Sequence, residues 1–139
     1  VGSGSGYLTA LVASLVKTVV SVDINPYFIK LAKQNCEKLK LNNIEFVTGD
    51  GASGWLKKKP YDAILFAGSL PHEPNGVRDQ LKHKGRLLVI LGLAPSMHAT
   101  LITRISDQDF EKEVLFSLKH FFTPFTRSAK VLPGFNFNT

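Results

Sequence analysis

Val1-Gly2-Ser3-Gly4-Ser5-Gly6-Tyr7 runs straight into Leu8-Thr9-Ala10-Leu11-Val12-Ala13-Ser14-Leu15-Val16. Leu8, Leu11, Val12, Leu15 and Val16 fall at the i, i+3, i+4, i+7, i+8 spacing of one helical face, so the glycines are expected to form a turn that opens a buried helix. Glycine at alternate positions lets backbone approach a ligand closely, and the first turn of a helix offers N–H groups without intrahelical partners. Together these features predict a cradle for a nucleotide-type ligand. Such a loop normally follows a parallel strand, of which only Val1 is available here.

Working outward, Thr18-Val19-Val20-Ser21-Val22-Asp23 reads as a buried parallel strand ending in an acid. Asp23 follows Gly6 by seventeen positions, near the ~20-residue offset at which an acid reaches ribose hydroxyls. Asn25 and Pro26 supply an N-cap and a first helical residue for a helix to about Lys40, with Ile29, Ala32, Cys36 and Leu39 as its inner stripe. Ile44–Thr48 alternates as a strand and stops at Gly49-Asp50-Gly51, where an acid between glycines either faces a ligand crevice or makes an Asx turn.

A solvated lysine corner at Lys57-Lys58-Lys59 precedes a fourth strand, Tyr61–Ala67, and a rigid loop, Gly68–Pro74. A short helix over Asn75–Leu81, a turn at Lys84-Gly85 and a strand over Arg86–Leu91 extend the alternation. That order predicts an α/β fold, Rossmann-like and doubly wound, with a mostly parallel sheet. Thr100–Ser106 and Glu113–Phe122, joined through Asp107-Gln108-Asp109, predict a C-terminal antiparallel hairpin. The tail from Arg127 to Thr139 has no clear period and is expected to be partly disordered.

The chain has 139 residues, 44% of them hydrophobic, which suits one domain with a real core. No run of ~18 apolar residues or signal-peptide pattern stands out, so a soluble, cytoplasmic protein without membrane contact is expected. Cys36, the sole cysteine, reads as a small core residue in a reducing compartment. One cysteine and 4 scattered histidines offer no metal-ligand spacing, so no metal is expected. A formal charge of +6 would suit an RNA-modifying enzyme, but the lysines are dispersed and nucleic acid is not the expected partner. Met97 is the sole methionine, and the strand preceding the glycine loop is expected to be largely missing. The strands ending at Asp23 and Ala67 would then face each other across a slot, and the chain alone is not expected to be an autonomous, active enzyme.

A dinucleotide loop, G-x-G-x-x-G/A, would need a small residue at position 7, where Tyr7 stands. The G-x-G-x-G spacing resembles the cofactor loop of class I S-adenosylmethionine-dependent methyltransferases. Gly49-Asp50-Gly51, Pro60-Tyr61-Asp62-Ala63-Ile64, Gln80-Leu81-Lys82 with Gly85-Arg86-Leu87, and Thr123-Pro124-Phe125 fall in the order that resembles protein-L-isoaspartate O-methyltransferases. This resemblance covers roughly residues 1–130, which would form the methyltransferase domain, with 131–139 as a tail. It implies S-adenosyl-L-methionine as cofactor, held by Gly2, Ser3, Gly4, Ser5, Gly6, Asp23, Ile24, Asp50 and Gly51, with Asp50 accepting from the adenine amino group. It further implies acceptor contacts at Pro71, His72 and Pro124, and methylation of the α-carboxylate of isoaspartyl residues in damaged proteins. The family's hydroxyl residue near that carboxylate belongs to an upstream segment, so no catalytic residue is assigned. His72 and Glu73 depart from the small and apolar residues expected in their loop, which leaves open a cofactor- or partner-binding module without turnover.

Overall fold

The computed structural model describes residues 1–118. The glycine loop opens a helix, α1 (Tyr7–Ala13), but a shorter one with a different buried face. Thr9 and Ala13 are its buried residues, whereas Leu11 and Leu15 are 50% and 78% exposed and Val16 is also exposed. The apolar spacing misled because the helix stops early, leaving Leu15 and Val16 beyond its end. That end is held by the Ser14 hydroxyl on the Leu11 carbonyl, and by Asn43, whose Nδ2 donates to the carbonyls of Ala13 and Val16.

β1 (Val19–Asp23) and β2 (Ile44–Thr48) pair in parallel, from Val19 opposite Ile44 to Asp23 opposite Thr48. Between them α2 (Pro26–Lys38) begins as expected, with Asn25 accepting from the Tyr27 N–H at 3.0 Å and proline in the first turn. Ala32 and Cys36 are fully buried on its inner face. Leu39 lies outside the helix and is exposed, so the stripe ends one turn earlier than its spacing predicts.

A second sheet has the order β3-β4-β5-β6, formed by Tyr61–Leu70, Leu81–Leu93, Ser96–Arg104 and Phe110–Leu118. β3 and β4 are parallel; the β4–β5 and β5–β6 pairs are antiparallel. β3 runs through Gly68, Ser69 and Leu70, which the sequence placed in a loop. Ser69 and Leu70 pair with Ile90 and Leu91 and are buried there. The loop proper therefore starts at Pro71, which has no N–H to continue a ladder. The short helix is reduced to a single 3-10 turn, Arg78–Gln80. Lys84-Gly85 is an irregularity inside β4, with Lys84 at φ 62 and the register jumping between Tyr61 and Ala63 of β3.

The expected hairpin is present, with both strands starting earlier than the periodicity indicated, and it continues an antiparallel meander. Its turn is closed by Ile105 and Ser106 N–H groups on the Asp109 carbonyl and by a 2.6 Å bond from the Ser106 hydroxyl to the Asp109 carboxylate. The main core belongs to this half: Phe66, Leu70, Val77, Leu81, Leu87, Val89 and Ile102. Val114 and Phe116 of β6 alternate as expected but remain exposed among the described residues. Readings that fall on His120, Phe122, Thr123-Pro124-Phe125 and the tail lie outside the described residues.

The two sheets meet at the first two residues. The Val1 nitrogen donates to the Leu65 carbonyl at 2.6 Å and the Val1 carbonyl accepts from the Ala67 N–H at 2.9 Å. On the other side the Gly2 N–H donates to the Val22 carbonyl at 2.8 Å. Below this bridge β1 and β3 face each other across a cleft of about 890 Å³, whose walls include Val20, Val22, Ala63 and Leu65. The slot expected between the strands ending at Asp23 and Ala67 is this cleft.

Candidate functional site

Because β1, β2 and β3 run the same way, their carboxyl ends and the glycine loop share one edge of the molecule. The Asp23 carbonyl accepts from the Gly49 N–H at 2.9 Å, fastening the end of β1 to the turn that carries Asp50. The Asp23 side chain is buried and splits its two oxygens: Oδ2 accepts from the Gly4 N–H at 3.2 Å and Oδ1 from the Asn25 N–H at 2.9 Å. Asn25, not Asp23, caps α2. A carboxylate has about four lone-pair sites, so each Asp23 oxygen keeps capacity for one more donor.

The glycines divide by role. Gly4, at φ +52, has open space where a side chain would stand, the condition for close approach of a ligand. Gly6, at φ +87, is required for another reason: a Cβ there would lie 2.8 Å from the Ala32 Cα, so α2 packs directly on this backbone. The intervening serines also differ, since Ser5 is exposed and Ser3 is buried. The Ser3 hydroxyl joins that of Ser21 at 2.7 Å, and Ser21 joins Thr9 at 2.8 Å, which ties loop, α1 and β1 with a small polar core.

Asp50 is exposed, and its Oδ1 accepts from the Ala52 N–H at 2.9 Å, an Asx turn that leaves the carboxylate at the rim. Gly51 is buried against Val1. Ile24 is 41% exposed beside Asp23. The structure therefore brings Gly2 to Gly6, Asp23, Ile24, Asp50 and Gly51 to one edge, with exposed atoms from Ser5, Ile24 and Asp50. Pro71 and His72 are exposed at the start of the loop after β3. Pro124 lies outside the described residues.

Three features escape sequence reasoning. Glu73, in that same loop, is held by Arg78 at 3.4 Å and by Lys112 on β6. Arg78 in turn lies over the Phe110 ring, 4.7 Å from its centroid. Gln80 is buried and binds backbone from two loops. Burial pushes the Cys36 thiol up, which makes it a packing residue rather than a nucleophile. Among the described residues no cluster of His, Cys, Asp or Glu could hold a metal ion, and no helix is long and apolar enough to cross a membrane.

A glycine loop between two parallel β units, an acid ending the next strand and an antiparallel extension define the α/β methyltransferase fold. The sequence profile of the Protein-L-isoaspartate(D-aspartate) O-methyltransferase (PCMT) family matches residues 1–130, and the chain belongs to that family. A protein-L-isoaspartate O-methyltransferase of Brucella anthropi is 36% identical over 116 residues, 83% of this chain and 54% of that protein. One from Pyrococcus horikoshii is 39% identical over 93 residues, 66% of this chain and 42% of that protein. Among solved structures, a protein-L-isoaspartate O-methyltransferase superposes with a TM-score of 0.77 at 30% identity, covering 88% of this chain and 39% of the other. A putative Plasmodium falciparum relative in complex with S-adenosyl-L-homocysteine superposes with a TM-score of 0.74 at 20% identity, covering 91% and 64%, and attests the fold. The chain spans about half the length of the curated relatives it matches.

Proposed function

We propose that this chain forms the cofactor-binding part of an S-adenosyl-L-methionine-dependent O-methyltransferase that esterifies the α-carboxylate of isoaspartyl residues in damaged proteins. The observation that carries the reading is Asp23: its carboxylate holds the Gly4 N–H and its carbonyl holds the Gly49 N–H, so the glycine loop and the Asp50 turn are set by one residue. The free lone pairs of Asp23 accept the ribose hydroxyls, and the exposed Asp50 oxygens accept from the adenine amino group. Gly4 gives the open backbone approach, Ser5 and Ile24 complete the exposed rim, and Gly2, Ser3, Gly6 and Gly51 set its shape from beneath. Pro71 and His72 flank the acceptor.

When bound, the cofactor supplies a methyl group on a sulfonium centre. The acceptor carboxylate is already ionised, so alignment of the two can supply much of the acceleration, up to ~7–11 kcal/mol for well-oriented reactants. The buried free thiol of Cys36, which burial pushes up, suits a reducing compartment, and we place the protein in the cytoplasm.

The test is transfer of labelled methyl to an isoaspartyl peptide, to the matched aspartyl peptide and to bulk RNA, with the complete protein. Base-labile label on the isoaspartyl peptide alone is expected. Label on RNA alone would replace this reading by an RNA methyltransferase, and cofactor binding without transfer to either would leave a binding module. Asp23→Ala removes ribose acceptors and the Gly4 anchor together. Charge-assisted bonds contribute roughly 1.5–3 kcal/mol, so cofactor affinity should fall about ten- to a hundredfold by calorimetry. Asp23→Asn, which keeps one acceptor oxygen, should lose less.

A further inference from the structure

Gln80 is 2% exposed and sits at the end of the 3-10 turn that leads into β4. Its Oε1 accepts from the Trp55 N–H at 3.0 Å. Its Nε2 donates to the Ser53 carbonyl at 2.7 Å and to the Gly76 carbonyl at 3.2 Å. One side-chain amide thus fastens the loop after β2 to the loop after β3. The fit leaves no slack, because a Cβ on Gly54 would lie 2.5 Å from both Gln80 side-chain heteroatoms.

Each fastened loop leads to one half of the proposed site. Trp55 lies on Gly49, where a Cβ would come within 2.8 Å of its ring, so fixing Trp55 fixes the turn that presents Asp50. Gly76 ends the segment that starts with Pro71 and His72 and is clamped midway by Glu73. We propose that Gln80 is a positioning residue that couples the two ligands: ordering the Asp50 turn around the cofactor orders the His72 loop for the acceptor, and the reverse. The inference rests on the proposed function, since it needs the cofactor on one loop and the acceptor on the other. Reciprocity of binding free energies makes it measurable from either side.

The experiment uses the complete protein and its Gln80→Met variant, which keeps volume and loses all three bonds. S-adenosylhomocysteine affinity is measured by calorimetry with and without a non-methylatable isoaspartyl peptide analogue. In the native protein the peptide should tighten S-adenosylhomocysteine about fivefold or more, within the usual range of coupling. In Gln80→Met the factor should fall to about one and both KM values should rise, while kcat at saturation of both ligands changes less than about threefold. A folded Gln80→Met protein with an undiminished coupling factor would overturn the proposal, as would native protein whose two ligands bind independently. If native protein binds neither ligand, the proposed function itself fails. Should Gln80→Met not fold, hydrogen exchange at the Trp55 amide of native protein decides: slowing by the peptide alone supports the coupling, and an unchanged rate refutes it.

Discussion

The two sheets of this molecule are built on opposite principles. Around β1 and β2 most of the buried residues are small or polar, namely Ser3, Thr9, Ala13, Ser21, Asp23, Ala32 and Cys36, with Val22 the one larger aliphatic side chain. Around β3 to β6 most are larger apolar side chains, with Leu81, Leu87, Val89 and Ile102 fully enclosed and Ser69, Gln80 and Thr100 as the buried polar exceptions. The first half needs close backbone approach and fixed N–H directions, so it uses glycines, hydroxyls and a carboxylate. The second half supplies apolar burial, worth roughly 1.5–3 kcal/mol per large side chain. The geometry of the proposed site and the bulk of the apolar burial thus fall largely in different halves.

The largest expected effect tests the aliphatic half. Leu87→Ala empties a fully enclosed position and should destabilise by about 2–5 kcal/mol in urea unfolding. Next comes the tightest contact of the first half. Gly6→Ala adds overpacking against Ala32 to an unfavourable positive φ, together about 2–4 kcal/mol. Urea unfolding of Gly6→Ala reads this loss directly, and an unchanged midpoint would mean that the loop does not pack on the α2 backbone.

The smallest effect is Ser21→Ala, which breaks two buried hydroxyl contacts for about 1–2 kcal/mol. If Ser21→Ala proves costlier than Leu87→Ala, the division of labour between the halves is wrong.

What could be read from the sequence was local. The glycine loop, the Asn25-Pro26 cap, the acid ending β1 and the Asp107-Gln108-Asp109 turn depend on neighbours within a few residues. Their signals survive without the rest of the fold. The faces of α1 were misread because spacing records which residues align, while Asn43, a residue of the β2 approach, decides where that helix ends. Gln80 and Glu73 escaped for the same reason: their partners lie on other loops and on β6. Ser69-Leu70 reads as a loop in sequence because the Gly-Ser-Leu-Pro composition hides a strand that only the facing Ile90-Leu91 reveals.

The meander has a consequence for the order of folding. β4 meets β5 across a turn at Ala94-Pro95, and β5 meets β6 across the short segment ending at Asp109, so each pairing closes a small loop. β1 and β2 must wait for the whole of α2 to form between them, and β3 meets β4 only across the segment that carries His72. Early contacts close short loops at the least loss of chain entropy. The β4–β6 meander is therefore expected to be the nucleus, with mutations at Leu88 slowing folding and mutations at Val22 mainly speeding unfolding. Folding kinetics of the two variants would show the reverse if the β1–β2 unit formed first. The edge that carries the glycine loop and Asp23 would then be among the last parts of the chain to set.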